Sequence, residues 1–275
     1  MTPTNERDYI LGTHDAEVER LGLQHRVWRA RALEAWRRAG FTLGNRLLDV
    51  GAGPGYAAFD LAEMVGPEGQ VHAIERSERF VAVLRDRARR CGYTNIIAHC
   101  QDVSSDGLPV EDGSMDGAWC RWIFAFLRQP MHLLQGLADA LRPGAALVIH
   151  EYLDYRTWRL APRSALVERF VAEVMGSWRD AGGEPDIALD LPGWLQEAGF
   201  TLGQMRPLID IIQPSSFVWH WPASFIDVNL RRLVEMGRIA PALADEISAD
   251  FQERSLDPST LMITPTVLEI IAVRR

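Results

Sequence analysis

Residues 46–56 read Arg46-Leu47-Leu48-Asp49-Val50-Gly51-Ala52-Gly53-Pro54-Gly55-Tyr56. Arg46 to Val50 is a short apolar strand, Gly51, Gly53 and Gly55 form a turn, and Tyr56 to Val65 reads as a helix. A strand that runs through glycines into a helix is a nucleotide-type binding element. Glycine permits positive φ and lets backbone N–H groups approach a ligand closely. The helix start adds free donors and a partial positive charge.

Two kinds of ligand compete for such a turn. A dinucleotide site calls for G-x-G-x-x-G, so that the helix closes over a pyrophosphate. This chain has G-x-G-x-G followed by Tyr56 and Ala57, with Asp49 just before the first glycine. A carboxylate there repels a pyrophosphate and suits an ammonium group, which favours S-adenosylmethionine. With that context, Leu47-Leu48-Asp49-Val50-Gly51-Ala52-Gly53-Pro54-Gly55 resembles the first signature motif of class I S-adenosylmethionine-dependent methyltransferases. The resemblance implies an α/β fold: a Rossmann-like, seven-stranded, doubly wound sheet with an antiparallel last strand.

The composition sets bounds. At 275 residues the chain is one large domain or a domain with an inserted cap, and 47% hydrophobic residues suffice for a sizeable core. The formal net charge of −8 argues against gripping nucleic acid through phosphate neutralisation and against a polybasic membrane anchor. All 29 basic residues are arginine, which excludes a catalytic lysine. Cys91, Cys100 and Cys120 are widely spaced, so neither a zinc site nor a disulfide framework is expected. The polar start and the lack of a run of ~20 apolar residues point to a cytoplasmic protein without membrane association.

The remaining elements follow in alternation. Val18, Leu21, His25, Trp28, Ala32 and Ala35 recur at helical spacing, giving a helix capped by Thr13 or Asp15 and ended by Gly40. In the resembled family such a helix often lies over the cofactor as a lid. Tyr9, Gln24 and Trp28 are then expected to touch it, although an aromatic on an apolar helix face also simply packs. Gln70 to Glu75 is the second strand, and Glu75 stands twenty positions beyond Gly55, where an acid accepts both ribose hydroxyls. Arg76 flanks the adenine in this reading. Asn95 to Gln101 is the third strand, and the resemblance gives Asp102, with Val103 beside it, the adenine amino group. The alternative for Asp102 is a turn residue capping its own backbone. Asp116 to Trp122 is the fourth strand; Arg121 at its end pairs with the cofactor carboxylate, or is held by Asp116 or a helix end. Ala145 to Tyr152 is the fifth. The resemblance covers about residues 9–152.

Beyond Tyr152 the chain departs from the bare fold. The division expected is a lid helix over 1–45, a cofactor-binding core over 46–152, a helical insertion over 153–190, and remaining core strands over 191–275. A second insertion, about 214–263, carries Phe217, Trp219, His220, Trp221 and Phe225. These insertions are the natural walls of an aromatic-lined pocket for a small, flat or apolar acceptor. An exposed second insertion is also compatible with a homodimer.

Methyl transfer from a sulfonium needs positioning more than activation. A base is required only for a protonated acceptor. His150, Glu151, Tyr152, Asp154 and Tyr155 stand at or beyond the end of the fifth strand, and histidine has the matching pKa, which puts His150 first and His220 second. Three other functions share these signals: methylation of RNA or protein, nicotinamide-dependent oxidoreduction, and cofactor binding without methyl transfer.

Overall fold

A computed structural model describes residues 15–275. Tyr9 and Thr13, expected at the cofactor lid and the helix cap, lie outside the described residues. Helix α1 (Asp15–Arg38) leads into β1 (Arg46–Val50), α2 (Tyr56–Val65), β2 (Gln70–Glu75), α3 (Glu78–Cys91), β3 (Ile96–Cys100), β4 (Met115–Arg121), α4 (Pro130–Ala140) and β5 (Leu141–Asp154). Then come β6 (Arg159–Ala161), α5 (Ala165–Asp180), α6 (Leu191–Glu197), β7 (Phe200–Leu208), β8 (Ile211–Ile212), α7 (His220–Glu235), α8 (Pro241–Leu256), β9 (Leu261–Ile263) and β10 (Thr266–Arg274).

The main sheet has seven strands in the order β3-β2-β1-β4-β5-β10-β7. Strands β1 to β5 are parallel, and β10 runs antiparallel between β5 and β7. This is the expected doubly wound sheet with its reversed last strand. The winding changes direction between β1 and β4, and that switch point is where open α/β sheets bind ligands. Both faces of β1 are buried, so its run Leu47-Leu48-Asp49-Val50 has no polar alternation apart from Asp49.

Register then decides what meets at the switch point. Asp49 lies beside Trp119, Arg121 beside His150, and His150 beside Glu269. Strand alternation turns Asp49, Trp119, Arg121, His150 and Tyr152 to one face, the face that α1 covers. The C-terminal half of α1 is clamped there by ion pairs from Arg31 to Asp210 (2.7 Å) and from Arg38 to Glu269. Trp36 packs edge-on against Trp119 at 5.3 Å. The helix predicted as a lid is therefore fixed at one end, and its N-terminal half overhangs the strand ends.

The two insertions are joined by a second, three-stranded sheet, β6-β9-β8, which the sequence reading did not foresee. It takes β6 from the first insertion and β8 and β9 from either end of the second, and strands of two or three residues carry too little alternation to be seen locally. The chain over residues 200–212 is shared between the sheets: β7 stays in the main one and β8 crosses to the small one. Ser164 caps α5 by accepting the Val167 N–H at 3.0 Å, and its hydroxyl donates to Asp250 of α8 at 2.5 Å, tying the insertions together.

The turn after β4 is held from below. Trp122 has φ of 52°, a left-handed conformation rare for a bulky residue. Such strain costs of order 1–3 kcal/mol and persists only where the surroundings over-determine it. Here Glu151, fully buried on the opposite face of β5, accepts the N–H groups of Ile123 (2.6 Å) and Phe124 (2.7 Å). Burial raises its pKa to about 8 against those hydrogen bonds, and its Oε2 has no partner. A folded-state value above the unfolded one means the stability is present below about pH 4.5 and is lost as pH rises through about 8. Glu151→Gln should therefore lose less stability than the parent over that window, with a gap that changes by up to ~1.4 kcal/mol per pH unit. Thermal unfolding of both proteins across pH checks this; a pH-independent gap would refute it.

Candidate functional site

A cavity of ≈ 100 Å³ opens at the carboxyl ends of β1, β4 and β5. Its floor is the glycine turn, with Asp49 and Trp119 behind; α1 contributes Arg20, Leu21, Gln24 and His25 as a roof. The three glycines do different work. A Cβ on Gly51 would meet Ile123 at 2.9 Å, and one on Gly55 would meet Leu84 of α3 at 2.6 Å, so both are small for internal packing. Around Gly53 only Leu21 comes within 4 Å, at 3.9 Å. Gly53 thus leaves space on the cavity side, where a ligand can approach the backbone.

Two charged groups face each other across this cavity. Asp49 is 2% exposed, accepts the Ala58 N–H, and has an unpartnered Oδ2. Burial raises its pKa to about 7, although the Arg121 guanidinium pulls it down. Arg121 is lowered by burial to about 10, partly restored by Asp49, and its Nη1 is buried without a partner. The two sit on neighbouring strands yet form no direct ion pair within 4.0 Å. An acid and a guanidinium kept apart, each with an open valence, match a ligand that carries an ammonium and a carboxylate together.

His25 lies beside Arg121. Its Nε2 is 2.9 Å from Asp60, and its Nδ1 is 3.4 Å from Arg121 Nη2. A guanidinium only donates, so Nδ1 accepts and the Nε2–H faces Asp60. Burial outweighs Asp60 and holds His25 below the ordinary imidazole value. Burial alone would raise Asp60, but hydrogen bonds from His25 and Arg29 hold it below the usual carboxylate value. Arg20 is gripped by Glu17 through two bonds of 2.7 Å and donates to Gln24 at 3.1 Å.

The opposite wall is aromatic. Trp122 stacks on Tyr152 (5.5 Å, 15°) and on Trp221 (5.7 Å, 13°). Phe126, Trp178 and Phe225 complete the lining, and Phe126 meets Trp178 edge-on at 4.8 Å. The left-handed backbone at Trp122 is what lays its ring into this wall. Burial raises the Tyr152 hydroxyl pKa, and that hydroxyl has no hydrogen-bond partner among the described residues.

The expected cofactor residues separate into two groups. Gln24, Asp49, Gly51, Gly53 and Arg121 line the cavity, with Gly55 at the end of the turn. Glu75, Arg76, Asp102 and Val103 stand at the ends of β2 and β3, outside it. Glu75 joins the groups: its Oε2 accepts the Gly53 N–H (2.9 Å) and its Oε1 that of Ser77 (2.8 Å). Its carboxylate therefore points at the glycine turn, and burial raises its pKa despite those two donors. Asp102 accepts from both the backbone and the hydroxyl of Ser104, the turn-capping alternative, while its Oδ2 lies 4.0 Å from Arg76.

Three of the expected residues lie away from the cavity. His150 is not in the cavity: it is fully buried beneath Trp28 and Trp119, with Nε2 3.1 Å from Glu269. Its position on the cavity-facing side of β5 was legible, but α1 covers it one row short of Tyr152. Trp28 is part of that cover, 1% exposed and edge-on to Trp122 and Trp221, and does not line the cavity. His220 is exposed at the start of α7 beside Phe217. In their place the cavity holds Arg20, His25 and Tyr56, which sequence reasoning did not single out as site residues. The available signals were the place of Arg20 four residues before Gln24 on α1, that of His25 on the apolar face of the same helix, and that of Tyr56 directly after the glycine turn.

Residues 47–144 match the family described as methyltransferase domain, about a third of the chain and the part that carries the glycine turn. Among curated relatives, a 2-phytyl-1,4-naphtoquinone methyltransferase of Synechococcus elongatus is 32% identical over 154 residues, 56% of this chain and 61% of that protein. A ubiquinone/menaquinone biosynthesis C-methyltransferase of Pseudomonas fluorescens is 31% identical over 134 residues, 48% of this chain and 50% of that protein. The matches thus span only about half to three-fifths of the relatives' length. Among solved structures, a [4+2]-cyclase superposes with a TM-score of 0.58 at 20% identity, covering 89% of this chain and 80% of the other. A geranyl diphosphate methyltransferase does so with 0.58 at 15%, covering 91% and 87%. These two share the fold. No described helix is long and apolar enough to cross a membrane.

The Asp49 carboxyl gives a direct test with S-adenosylhomocysteine. An ammonium bound at Asp49 requires the ionised acid, so affinity should fall about tenfold per pH unit below ~7 and level off above it. Binding near neutral pH should release a proton, read by calorimetry in buffers of different ionisation enthalpy. Asp49→Asn should abolish the pH dependence and weaken binding; an unchanged slope in that variant would contradict the assignment.

Proposed function

We propose that the protein transfers a methyl group from S-adenosylmethionine to a small acceptor whose reacting part is flat and aromatic or apolar. The observation that carries this reading is the separated pair Asp49 and Arg121. Each has an unpartnered polar atom beside the open backbone of Gly53. Asp49 would take the ammonium and Arg121 the carboxylate of the amino-acid end. Glu75, already aimed at the glycine turn, retains lone pairs for ribose hydroxyls. Arg76 and Asp102 would border the adenine. The bound cofactor supplies an electrophilic methyl with a neutral thioether leaving group.

The chain's own residues position and exclude. His25 and Asp60 orient Arg121 through the Nδ1 contact, and Glu17 does the same for Arg20. The stack of Tyr152, Trp122 and Trp221 offers a flat apolar surface to the acceptor and keeps water out. Aromatic faces also favour a sulfonium by roughly 0.5–2 kcal/mol. The polar groups within reach of an acceptor are the Tyr152 hydroxyl, Gln24 and Arg20, so a hydroxyl or carbonyl on the acceptor finds hydrogen bonds there. The acceptors named for the curated relatives, quinones, are of this flat kind. The net charge and the roofed cavity support a small acceptor over RNA or protein.

The test is transfer of labelled methyl to a panel of phenols, hydroquinones and apolar amines. Label should appear in a flat aromatic acceptor. Arg121→Ala should weaken S-adenosylhomocysteine binding by about tenfold or more, the loss of a charge-assisted pair. Phe126→Leu should raise acceptor KM by about threefold to tenfold with cofactor affinity unchanged. Cofactor binding without transfer to any acceptor class would overturn the reading in favour of a binding protein.

A further inference from the structure

A second cleft, of ≈ 290 Å³, lies on the other side of the aromatic partition. Met175 of α5 lines it, while Trp178, one turn on, lines the first cavity. Trp158 forms its floor and touches Tyr155 and Phe225 edge-on, each at 5.9 Å. The floor is apolar and buried: Trp158 is 1% exposed, Met175 2% and Val171 3%. The indole N–H of Trp158 is buried without a partner.

The rim is cationic, with Arg156, Arg159, Arg163 and Arg179 against the single acid Glu168. Two of these arginines are neutralised. Arg163 grips Glu168 through bonds of 2.8 and 2.7 Å, and Arg179 grips Glu184 at 2.9 and 2.6 Å. Arg156 and Arg159 have no carboxylate within 4.0 Å among the described residues. Arg159 donates its Nε–H to the Arg156 backbone carbonyl at 2.9 Å, which ties the Arg159 side chain to the 3-10 turn that carries Arg156. In a chain of net charge −8, two adjacent unneutralised guanidiniums above a tryptophan floor form a local site for an anion.

An apolar track leaves the same rim. In the small sheet Arg159, Ile263 and Ile211 are lateral neighbours, as are Leu160, Met262 and Ile212. The second row is buried, at 2%, 0% and 7% exposure, so the first faces outward, and Ile211 is 69% exposed. An ordinary surface edge strand carries charge at such positions. Here half-buried Ile263 and exposed Ile211 continue outward from Arg159.

We propose that this cleft binds an anionic amphiphile, one molecule per chain. Arg156 and Arg159 hold its phosphate, sulfate or carboxylate head over Trp158, and its apolar chain follows Ile263 and Ile211. An inorganic anion alone would leave the apolar track at Ile211 without a partner, and a neutral chain would leave the two guanidiniums unused. Nothing in this assignment depends on the methyl-transfer reading.

Calorimetry with dodecyl phosphate below its micelle concentration tests it, with inorganic phosphate and dodecyl maltoside as the head-only and tail-only probes. Dodecyl phosphate should bind saturably, one per chain, about a hundredfold tighter than either control, as both halves contribute. Arg156→Glu combined with Arg159→Glu should weaken it about thirtyfold or more. Ile211→Ser should weaken dodecyl phosphate and leave inorganic phosphate unaffected. S-adenosylhomocysteine affinity and Tm, measured on the same variants, should stay at the parent's values, which separates loss of this cleft from loss of the fold or of the first site. Absent saturable binding, equal binding by either control, or undiminished binding by the double variant would each overturn the proposal.

Discussion

The site depends on holding a carboxylate and a guanidinium close together without letting them meet. Parallel pairing of β1 with β4 puts Asp49 and Arg121 on one face at adjacent strand ends, where the winding of the sheet reverses. Both are drawn away from their ordinary pKa values by burial, Asp49 upward and Arg121 downward. A direct contact would relieve them; the geometry withholds it. The cost of keeping two charges poorly solvated is the kind that binding of a complementary ligand offsets. The Ala58 N–H on one side and the His25–Asp60 relay on the other fix the two groups in place.

The same logic of opposed faces organises the turn after β4. Alternation along β5 sends Tyr152 to the cavity and Glu151 to the other side. Glu151 holds the N–H groups of Ile123 and Phe124, and Tyr152 meets the ring of Trp122. One strand therefore both pins the strained backbone and supplies the surface that its side chain lies on. Disturbing either side moves the aromatic wall.

The insertions extend that wall into a partition. Trp178, Tyr155, Trp158 and Phe225 form a chain of edge-on contacts between the first cavity and the arginine-rimmed cleft. Phe225 comes from α7 and the others from the segment before and within α5, so the partition depends on the two insertions being held together, by the small sheet and by the bond from Ser164 to Asp250. The core sheet is common to proteins of different activity, a cyclase among them.

The glycine turn, the strand order and the end-of-strand acids were legible because each rests on local rules: φ tolerance, periodicity, and a fixed spacing from turn to acid. Asp49, Glu75 and Arg121 could be placed from the sequence for that reason. The fate of His150 could not. Alternation put it on the correct face, but whether it met solvent, ligand or core depended on where Trp28 of a distant helix came to rest. Arg20 was hidden for the converse reason: a charged residue on an amphipathic helix reads as a solvated one until another element covers it. The sequence by itself determined the cradle, since backbone conformation is set by neighbours in the chain. Only the tertiary structure decided which side chains face the cavity, because burial is a property of what packs from far away.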